Sequence, residues 1–183
     1  MEWIAIGIAV ALLIWSIWIY NRLVMRRNRV ATAWGDIDVQ LTRRHDLVPN
    51  LVNVVKAYAR HEKGTLEEVT RLRSAALSTQ SPSRLGEIEN DLEKLLGRLL
   101  VLQENYPDLK ASDNFAQLSD QLVEVENQLQ YARRYYNGAV RDLNTQVRQF
   151  PDLIIGKLLG FSEAEFYAAD SSQRQAVYVG AAS

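Results

Sequence analysis

An uncharged stretch near the start of the chain, from Trp3 to Tyr20, constrains the fold more than any other feature. As a helix these residues would measure about 27 Å, which matches the hydrocarbon thickness of a bilayer. A cleaved signal peptide is the competing interpretation, because Ala-Thr-Ala at residues 31–33 has the small-x-small pattern of a cleavage site. Signal peptides carry basic residues before the apolar run, whereas here the basic residues follow it. The sequence therefore predicts a transmembrane anchor over residues 1–21, with a short tip outside the cell.

Aromatic and basic residues flank this run in a pattern typical of membrane-spanning helices. Tryptophan and tyrosine anchor a helix at the interface, and arginines confined to one end place that end in the cytoplasm. Arginines there also bind anionic headgroups, so topology and lipid binding are both open roles. We predict a single-pass protein of the cell membrane, with the N-terminus outside and the C-terminal domain cytoplasmic. The predicted membrane- and lipid-contacting residues are Trp3, Trp15, Trp18, Tyr20, Arg22, Arg26, Arg27 and Arg29.

After the anchor, apolar residues recur every three or four positions almost throughout, which predicts helices. The clearest stripe runs from Phe115 to Val147 with the spacing of a coiled coil. Short polar loops make successive helices antiparallel. We therefore expect an all-α fold, in which the transmembrane helix is followed by an elongated antiparallel bundle of three to four long helices over residues 22–169. Residues 170–183 are expected to form a flexible tail.

Pro49 interrupts the first of these stripes. Proline removes a backbone donor and clashes with the preceding turn, so the helix is expected to end or kink near Leu47. The sequence leaves those two alternatives open.

Charge is balanced overall but divided along the chain. The formal net charge is −1, which provides no field for nucleic acid, and we predict no nucleic-acid partner. Residues 22–60 contain eight basic residues and three acids, whereas residues 87–126 contain ten acids and three basic residues. These surfaces could pair within one bundle or between neighbouring subunits, and the sequence does not separate the two.

No residue pattern points to catalysis. The chain lacks cysteine, a Gly-rich phosphate loop and a His-Glu-x-x-His helix, so we predict no enzyme, cofactor or metal site. The pairs His45-Asp46 and His61-Glu62 suggest a metal-dependent hydrolase, but on one helix the two histidines would lie roughly 160° apart. Glu62 also occupies an apolar-stripe position, where a carboxylate needs a basic or hydrogen-bonding partner.

Two segments near the C-terminal end have unusual composition. The first is an aromatic and arginine cluster, for which we favour packing inside the bundle over protein docking or nucleic-acid stacking; it comprises Tyr131, Arg133, Arg134, Tyr135 and Tyr136. The second, residues 150–161, is apolar but too short to span a bilayer, and it could cap the bundle, lie in the headgroup plane or dock on another subunit. Its candidate oligomer- or membrane-contacting residues are Leu153, Ile154, Ile155, Leu158, Leu159 and Phe161.

Several blocks spread along the chain match the signatures of one known family. They are Tyr-Asn-Arg-Leu-Val at 20–24, the block 39–52 with Arg-Arg-His-Asp-Leu-Val-Pro-Asn at its centre, Val-Lys-Ala-Tyr at 55–58, His61-Glu62, Glu-Asn-Tyr-Pro-Asp-Leu-Lys-Ala at 104–111, Asn114-Phe115 with Leu118, Glu126-Asn127, Ala-Arg-Arg-Tyr-Tyr-Asn at 132–137 with Val140, Phe150-Pro151 and Gly160-Phe161. Together they resemble the LemA family up to about Phe166, and the tail beyond Asp170 lies outside the resemblance.

This resemblance implies a membrane-anchored helical bundle of bacteria or archaea with no established enzymatic activity. One branch of the family is implicated in forming magnetosome membranes, and members occur near genes for membrane proteases. Our leading hypothesis is a non-enzymatic scaffold of the bacterial inner membrane that forms homo-oligomers through its cytoplasmic bundle and takes part in membrane remodelling. The alternative is an adaptor or regulator of another membrane protein, such as a membrane protease.

Overall fold

Helices make up most of the part of the chain that the structure, a computed structural model, describes. This part covers residues 2–168, with only the backbone of Arg60, and contains no strand. The prediction of an all-α chain with one long apolar N-terminal helix is confirmed, whereas the antiparallel order of the bundle stays a prediction. The predicted tail, residues 170–183, lies outside the described residues. The helices are α1 (Glu2–Tyr58), α2 (Lys63–Leu77), α3 (Pro82–Val101), α4 (Pro107–Lys110), α5 (Asp113–Arg148) and α6 (Asp152–Leu158), with 3₁₀ turns at Arg60–Glu62 and Leu102–Glu104.

Helix α1 continues through Pro49 without ending. Proline cannot donate to the carbonyl four positions earlier, which belongs to His45. Arg73 of α2 supplies the missing donor, because its Nε donates to the His45 carbonyl oxygen at 2.7 Å. Of the two alternatives, a helix end near Leu47 is therefore wrong. Arg73, 28 positions after His45, supplies a hydrogen bond in place of the one that proline removes.

The described residues divide into two compact units. The first unit comprises Met1–Leu41 and Asn127–Phe166, so it holds the uncharged run, the end of α5 and α6. Its core contains Leu23 and Ile37 of α1, both fully buried, together with Val140 of α5. The side chains that the heptad-like stripes place on one helical face are thus the ones that form this core.

The second unit comprises, among the described residues, Thr42–Glu126 together with Tyr167 and Ala168. In it α2 packs against α3, and the fully buried residues include Leu51, Val69 and Leu92. Glycine is required at position 86 of α3, where the backbone at Ala168 approaches this helix. A Cβ on residue 86 would lie 2.7 Å from the backbone nitrogen of Ala168. Only glycine allows an approach this close.

Candidate functional site

The uncharged run of α1 is exposed in the first unit and is long and apolar enough to cross a membrane. The four aromatic residues predicted to anchor it are all exposed, from Trp3 at 86% to Tyr20 at 43%. Apolar side chains of this size are rarely exposed in such a long row on a water-soluble helix. Burial starts at the last turn of the run, where Ile19 is fully covered.

Three of the four arginines that follow the run contact groups of the first unit. Arg22 donates to the carboxylate of Asp152, and its guanidinium lies 4.5 Å from the Trp18 ring centre. Arg26 lies 2.8 Å from a carboxylate oxygen of Asp142. These contacts show intramolecular charge pairing at the basic end of α1.

Arg27 and Arg29 complete the predicted set. The Arg27 guanidinium lies over the Phe161 ring at 5.3 Å, and Arg29 is exposed. Both side chains are exposed to solvent on the part of α1 that directly follows the uncharged run.

Helix α6 is held against the start of this basic segment. Asp152 is 1% exposed and accepts hydrogen bonds from Arg22 and from the amide of Gln146. One turn later Gly156 faces α1, where a Cβ would lie 3.7 Å from Leu23. Asp152 and Gly156 are four residues apart, so one face of α6 is turned towards α1.

Gly160 reverses the chain at the end of α6. Its φ of +74° is the left-handed conformation that favours glycine. The amide of Phe161 donates to the Gly156 carbonyl at 2.9 Å, and that of Gly160 donates to the Lys157 carbonyl at 3.4 Å, the two bonds of a Schellman motif. The turn places the Phe161 ring 5.9 Å from that of Tyr20, edge to face.

The six predicted contact residues of this segment are divided by that packing. Phe161 is buried within the first unit, and Leu153 and Ile155 are half-buried. Ile154, Leu158 and Leu159 are 57%, 79% and 50% exposed. Segment 150–161 thus covers α1 with one face and leaves the other face apolar and exposed.

A cluster of buried charges lies in the second unit. Arg44 is 1% exposed, and its guanidinium bridges two acids, with Glu89 at 2.9 Å and Glu126 bound by the other nitrogen. His45 Nε2 lies 2.6 Å from the remaining Glu89 oxygen. Every oxygen of the Glu89 carboxylate therefore has a partner, as burial of a charge requires.

Burial alone would raise the pKa of Glu89, because it disfavours the charged carboxylate. The hydrogen bond with His45 and the positive charge of Arg44 outweigh that effect, so the pKa lies below its ordinary value. The Glu89 carboxyl is thus held in its ionised form.

The predicted metal-binding candidates are not brought together. His45 faces Glu89, Asp46 and His61 are exposed, and Glu62 is half-buried. Among residues 2–168 no group of three or more His, Cys, Asp or Glu residues could hold a metal ion. The carboxylate that lies inside the apolar stripe is Glu89 rather than Glu62.

Sequence reasoning missed Glu89, Glu126 and Asp152 as partners of the early arginines. A signal for Glu89 was present, because it stands four residues after buried Leu85 and three before buried Leu92, on the apolar face of α3. The pairs Arg44–Glu89 and Arg43–Glu124 also show that early bases meet later acids within one chain.

The aromatic and arginine cluster is split by the structure. Tyr136 packs inside the first unit, with its ring 5.3 Å from that of Trp34 and its hydroxyl donating to the Glu165 carbonyl. Tyr131 and Tyr135 are 64% and 52% exposed. Both tyrosines line a groove with a volume of about 350 Å³, which we call the aromatic groove. Its other lining residues are Asp36, Val39, Gln40, Gln128 and Ala132.

Comparison with known proteins gives one family and several distant relatives. The LemA family model matches residues 33–180. Magnetosome protein MamQ 2 of Paramagnetospirillum magneticum is 22% identical over 174 residues, covering 81% of this chain and 64% of the relative. Protein LemA of Metamycoplasma hominis is 24% identical over 156 residues, covering 84% and 71%.

Magnetosome protein MamQ of Magnetospirillum gryphiswaldense is 21% identical over 178 residues, covering 79% of this chain and 65% of the relative. The chain thus spans less than two thirds of the length of these magnetosome relatives. The family match extends to residue 180, so the boundary of the resemblance that we placed near Phe166 is wrong.

Proposed function

Since the chain belongs to the LemA family, we propose that it is a non-enzymatic scaffold, anchored in the cell membrane by the run Trp3–Tyr20 and self-associating through its cytoplasmic helical part. One observation carries this proposal. The helix that bears the uncharged run also supplies the core residues Leu23 and Ile37, so the anchor enters the folded part without a linker. A chain built this way holds its cytoplasmic surface at a set place beside the bilayer.

The basic residues that follow the run support the proposed orientation. Arg22, Arg26, Arg27 and Arg29 all lie within ten residues of its end, and such residues are retained on the cytoplasmic side. A reporter that is active only outside the cell, fused after Ser183, is expected to be silent. Strong reporter activity would show that the C-terminal end lies outside the cell, which is opposite to the proposed orientation.

The aromatic groove is the proposed surface of self-association, and its occupant is a second copy of this chain. Exposed tyrosines are enriched at protein interfaces because they bury large apolar area and keep a polar tip. The groove offers Tyr131, Tyr135 and Val39, each more than half exposed, and the Arg134 guanidinium lies 4.8 Å from the Tyr131 ring centre. Copies in one membrane share an orientation, so a head-to-tail contact between them forms a ring or an open array.

Such an array would impose curvature on the membrane that anchors it. Two of the relatives described above are named magnetosome proteins. A part in organising a membrane, which the family resemblance implies, would fit an array of this kind. The same topology also suits an adaptor that presents its cytoplasmic helices to another membrane protein, which is the alternative function.

The mass of the particle extracted in mild detergent tests the proposal. We expect the wild type to contain several copies, and Tyr131→Ser with Tyr135→Ser to reduce the copy number while helicity is unchanged. Tyr58→Ser is the matched control, because Tyr58 is a 44% exposed tyrosine of the second unit. A monomeric wild type would refute self-association, and a particle with one copy beside a different membrane protein would favour the adaptor.

A further inference from the structure

The exposed face of α6 has no role in the scaffold as proposed. Asp152 and Gly156 turn one face of α6 towards α1. Successive residues of a helix differ by about 100°, so Ile154 and Leu158 lie on the opposite face. They are 57% and 79% exposed, and Phe150, just before the helix, is 80% exposed. This concentrates large apolar side chains on one short element.

The place where α6 is held decides what can cover this face. It contacts Arg22 and Leu23, just after the uncharged run, and Phe161 in the turn that follows α6 contacts Tyr20, the last residue of the run. Each helical residue adds about 1.5 Å, so Leu23 lies only about 5 Å beyond Tyr20 along α1. If Trp3–Tyr20 spans the bilayer, α6 is therefore at the depth of the lipid headgroups.

The chemistry of the exposed face matches that depth. Asp152, the acid of α6, is buried and bonded to Arg22, and Lys157 is exposed at the side of the apolar face. Apolar residues with a flanking cation and no free acid are the composition of a helix that lies in the membrane interface.

We infer that α6 is a second membrane contact: its outer face, formed by Ile154 and Leu158 together with Phe150 just before the helix, inserts into the headgroup and upper acyl region of the bilayer that holds the anchor. The contact braces α1 where it leaves the membrane, so the chain meets the bilayer through a span and a short interfacial helix. The inference rests on the membrane anchor of the proposed function but is independent of self-association.

Depth-dependent quenching in vesicles tests this inference on the full chain. The natural chain has no cysteine, so a single cysteine can carry an environment-sensitive fluorophore. Leu158→Cys reports on α6, Leu13→Cys on the centre of the span, and Leu77→Cys is the matched control, a 61% exposed leucine of the second unit. The vesicles contain phosphatidylcholine and phosphatidylglycerol, with nitroxides at either shallow or deep acyl positions.

We expect the Leu158→Cys probe to be quenched several-fold more by shallow than by deep nitroxides, at a depth of about 5–10 Å below the headgroup boundary. The Leu13→Cys probe should show the opposite preference, and the Leu77→Cys probe should not be quenched. Quenching that persists in the Tyr131→Ser, Tyr135→Ser background would show that the lipid contact does not need the proposed subunit contact.

Two results would overturn the inference. If the Leu158→Cys probe is as little quenched as the Leu77→Cys probe while Leu13→Cys is quenched, the anchor stands and α6 does not touch lipid. If its emission is blue-shifted without quenching and the shift is lost on diluting the protein in the vesicles, a second copy covers the face. An unquenched Leu13→Cys probe would refute both the anchor and the inference.

Discussion

The two units of the molecule differ in how far they bury their paired charges. In the first unit the ion pair Arg26–Asp142 is 30% and 43% exposed at its side chains, and the buried Asp152 pairs with Arg22, whose side chain is 32% exposed. In the second unit Arg44 and Glu89 are 1% and 0% exposed. The first unit thus leaves at least one member of each of these pairs partly exposed, whereas the second encloses both members of one pair.

This difference indicates different constraints on the two units. A buried ion pair contributes little net stability over an apolar replacement but makes the loss of either partner costly, so it commits the second unit to one arrangement of helices. Solvent-exposed pairs cost little to break. We therefore expect a large effect where the buried pair of the second unit is broken and a small effect where the exposed pair Arg26–Asp142 of the first unit is broken.

The largest effect is expected from Glu89→Ala. It removes the carboxylate that pairs with both Arg44 and His45, at a site where these two side chains are 1% and 8% exposed. Breaking a buried ion pair costs about 3–5 kcal/mol, so urea unfolding in detergent should shift by that amount. Glu87→Ala is the control, because Glu87 pairs with Arg84 on the exposed side of the same helix. Equal stability of the two variants would contradict the comparison.

Acid should weaken the second unit through the same carboxyl. The pKa of Glu89 in the folded chain lies below its ordinary value of 4.5, so the unfolded chain binds a proton more readily. Its contribution to stability is therefore complete above about pH 4.5 and is lost as the pH falls through the folded pKa. Unfolding midpoints measured between about pH 3 and pH 7 should show this loss. In Glu89→Gln the curve should be flatter, and an unchanged curve would contradict the prediction.

Arg73→Ala should have an intermediate effect, because it removes the donor that satisfies the His45 carbonyl. A backbone carbonyl left buried without a donor costs about 1–3 kcal/mol. Pro49→Ala restores the backbone donor, so in that background the cost of Arg73→Ala should shrink. Unfolding of the two single variants and the double variant measures the coupling, and strictly additive effects would show that Arg73 does not serve this carbonyl.

The smallest effect is expected for the pair Arg26–Asp142 of the first unit. Both side chains are partly exposed, so solvent screening limits the coupling to below about 1 kcal/mol. A double-mutant cycle with Arg26→Gln and Asp142→Asn measures it, and added salt should weaken it further. A coupling as large as the Glu89 effect would remove the contrast between the units.

The sequence predicts what depends on local spacing. The uncharged run and the stripe from Phe115 to Val147 require only neighbours along the helix, and α1 and α5 contain them. Of the two alternatives left open at Pro49, the structure excludes a helix end, and the sequence could not exclude it because Arg73, which supplies the missing donor, belongs to another helix. Glu89 was missed for the same reason, since a carboxylate in an apolar stripe is explained only by partners distant in sequence.

The same distinction between local and distant contacts applies to the candidate site. The apolar character of residues 150–161 could be read directly from composition, but not which of its faces is covered. That depends on Asp152 bonding to Arg22 and on the turn at Gly160, which bring segments from opposite ends of the chain together. Single-sequence periodicity contains no information on such pairs.

If Trp3–Tyr20 spans the bilayer, the unbroken course of α1 has a consequence inside it. In the first unit Ile19 and Leu23 are fully buried, which fixes the azimuth of the helix about its own axis. With about 100° per residue, Ile8 and Leu12 lie within roughly 20° of the direction of Ile19. The packing of the first unit therefore determines which side of the span faces a neighbouring lipid or helix. A substitution at Leu23, which lies outside the hydrocarbon, would rotate the span about its own axis and so change its lateral contacts inside the hydrocarbon.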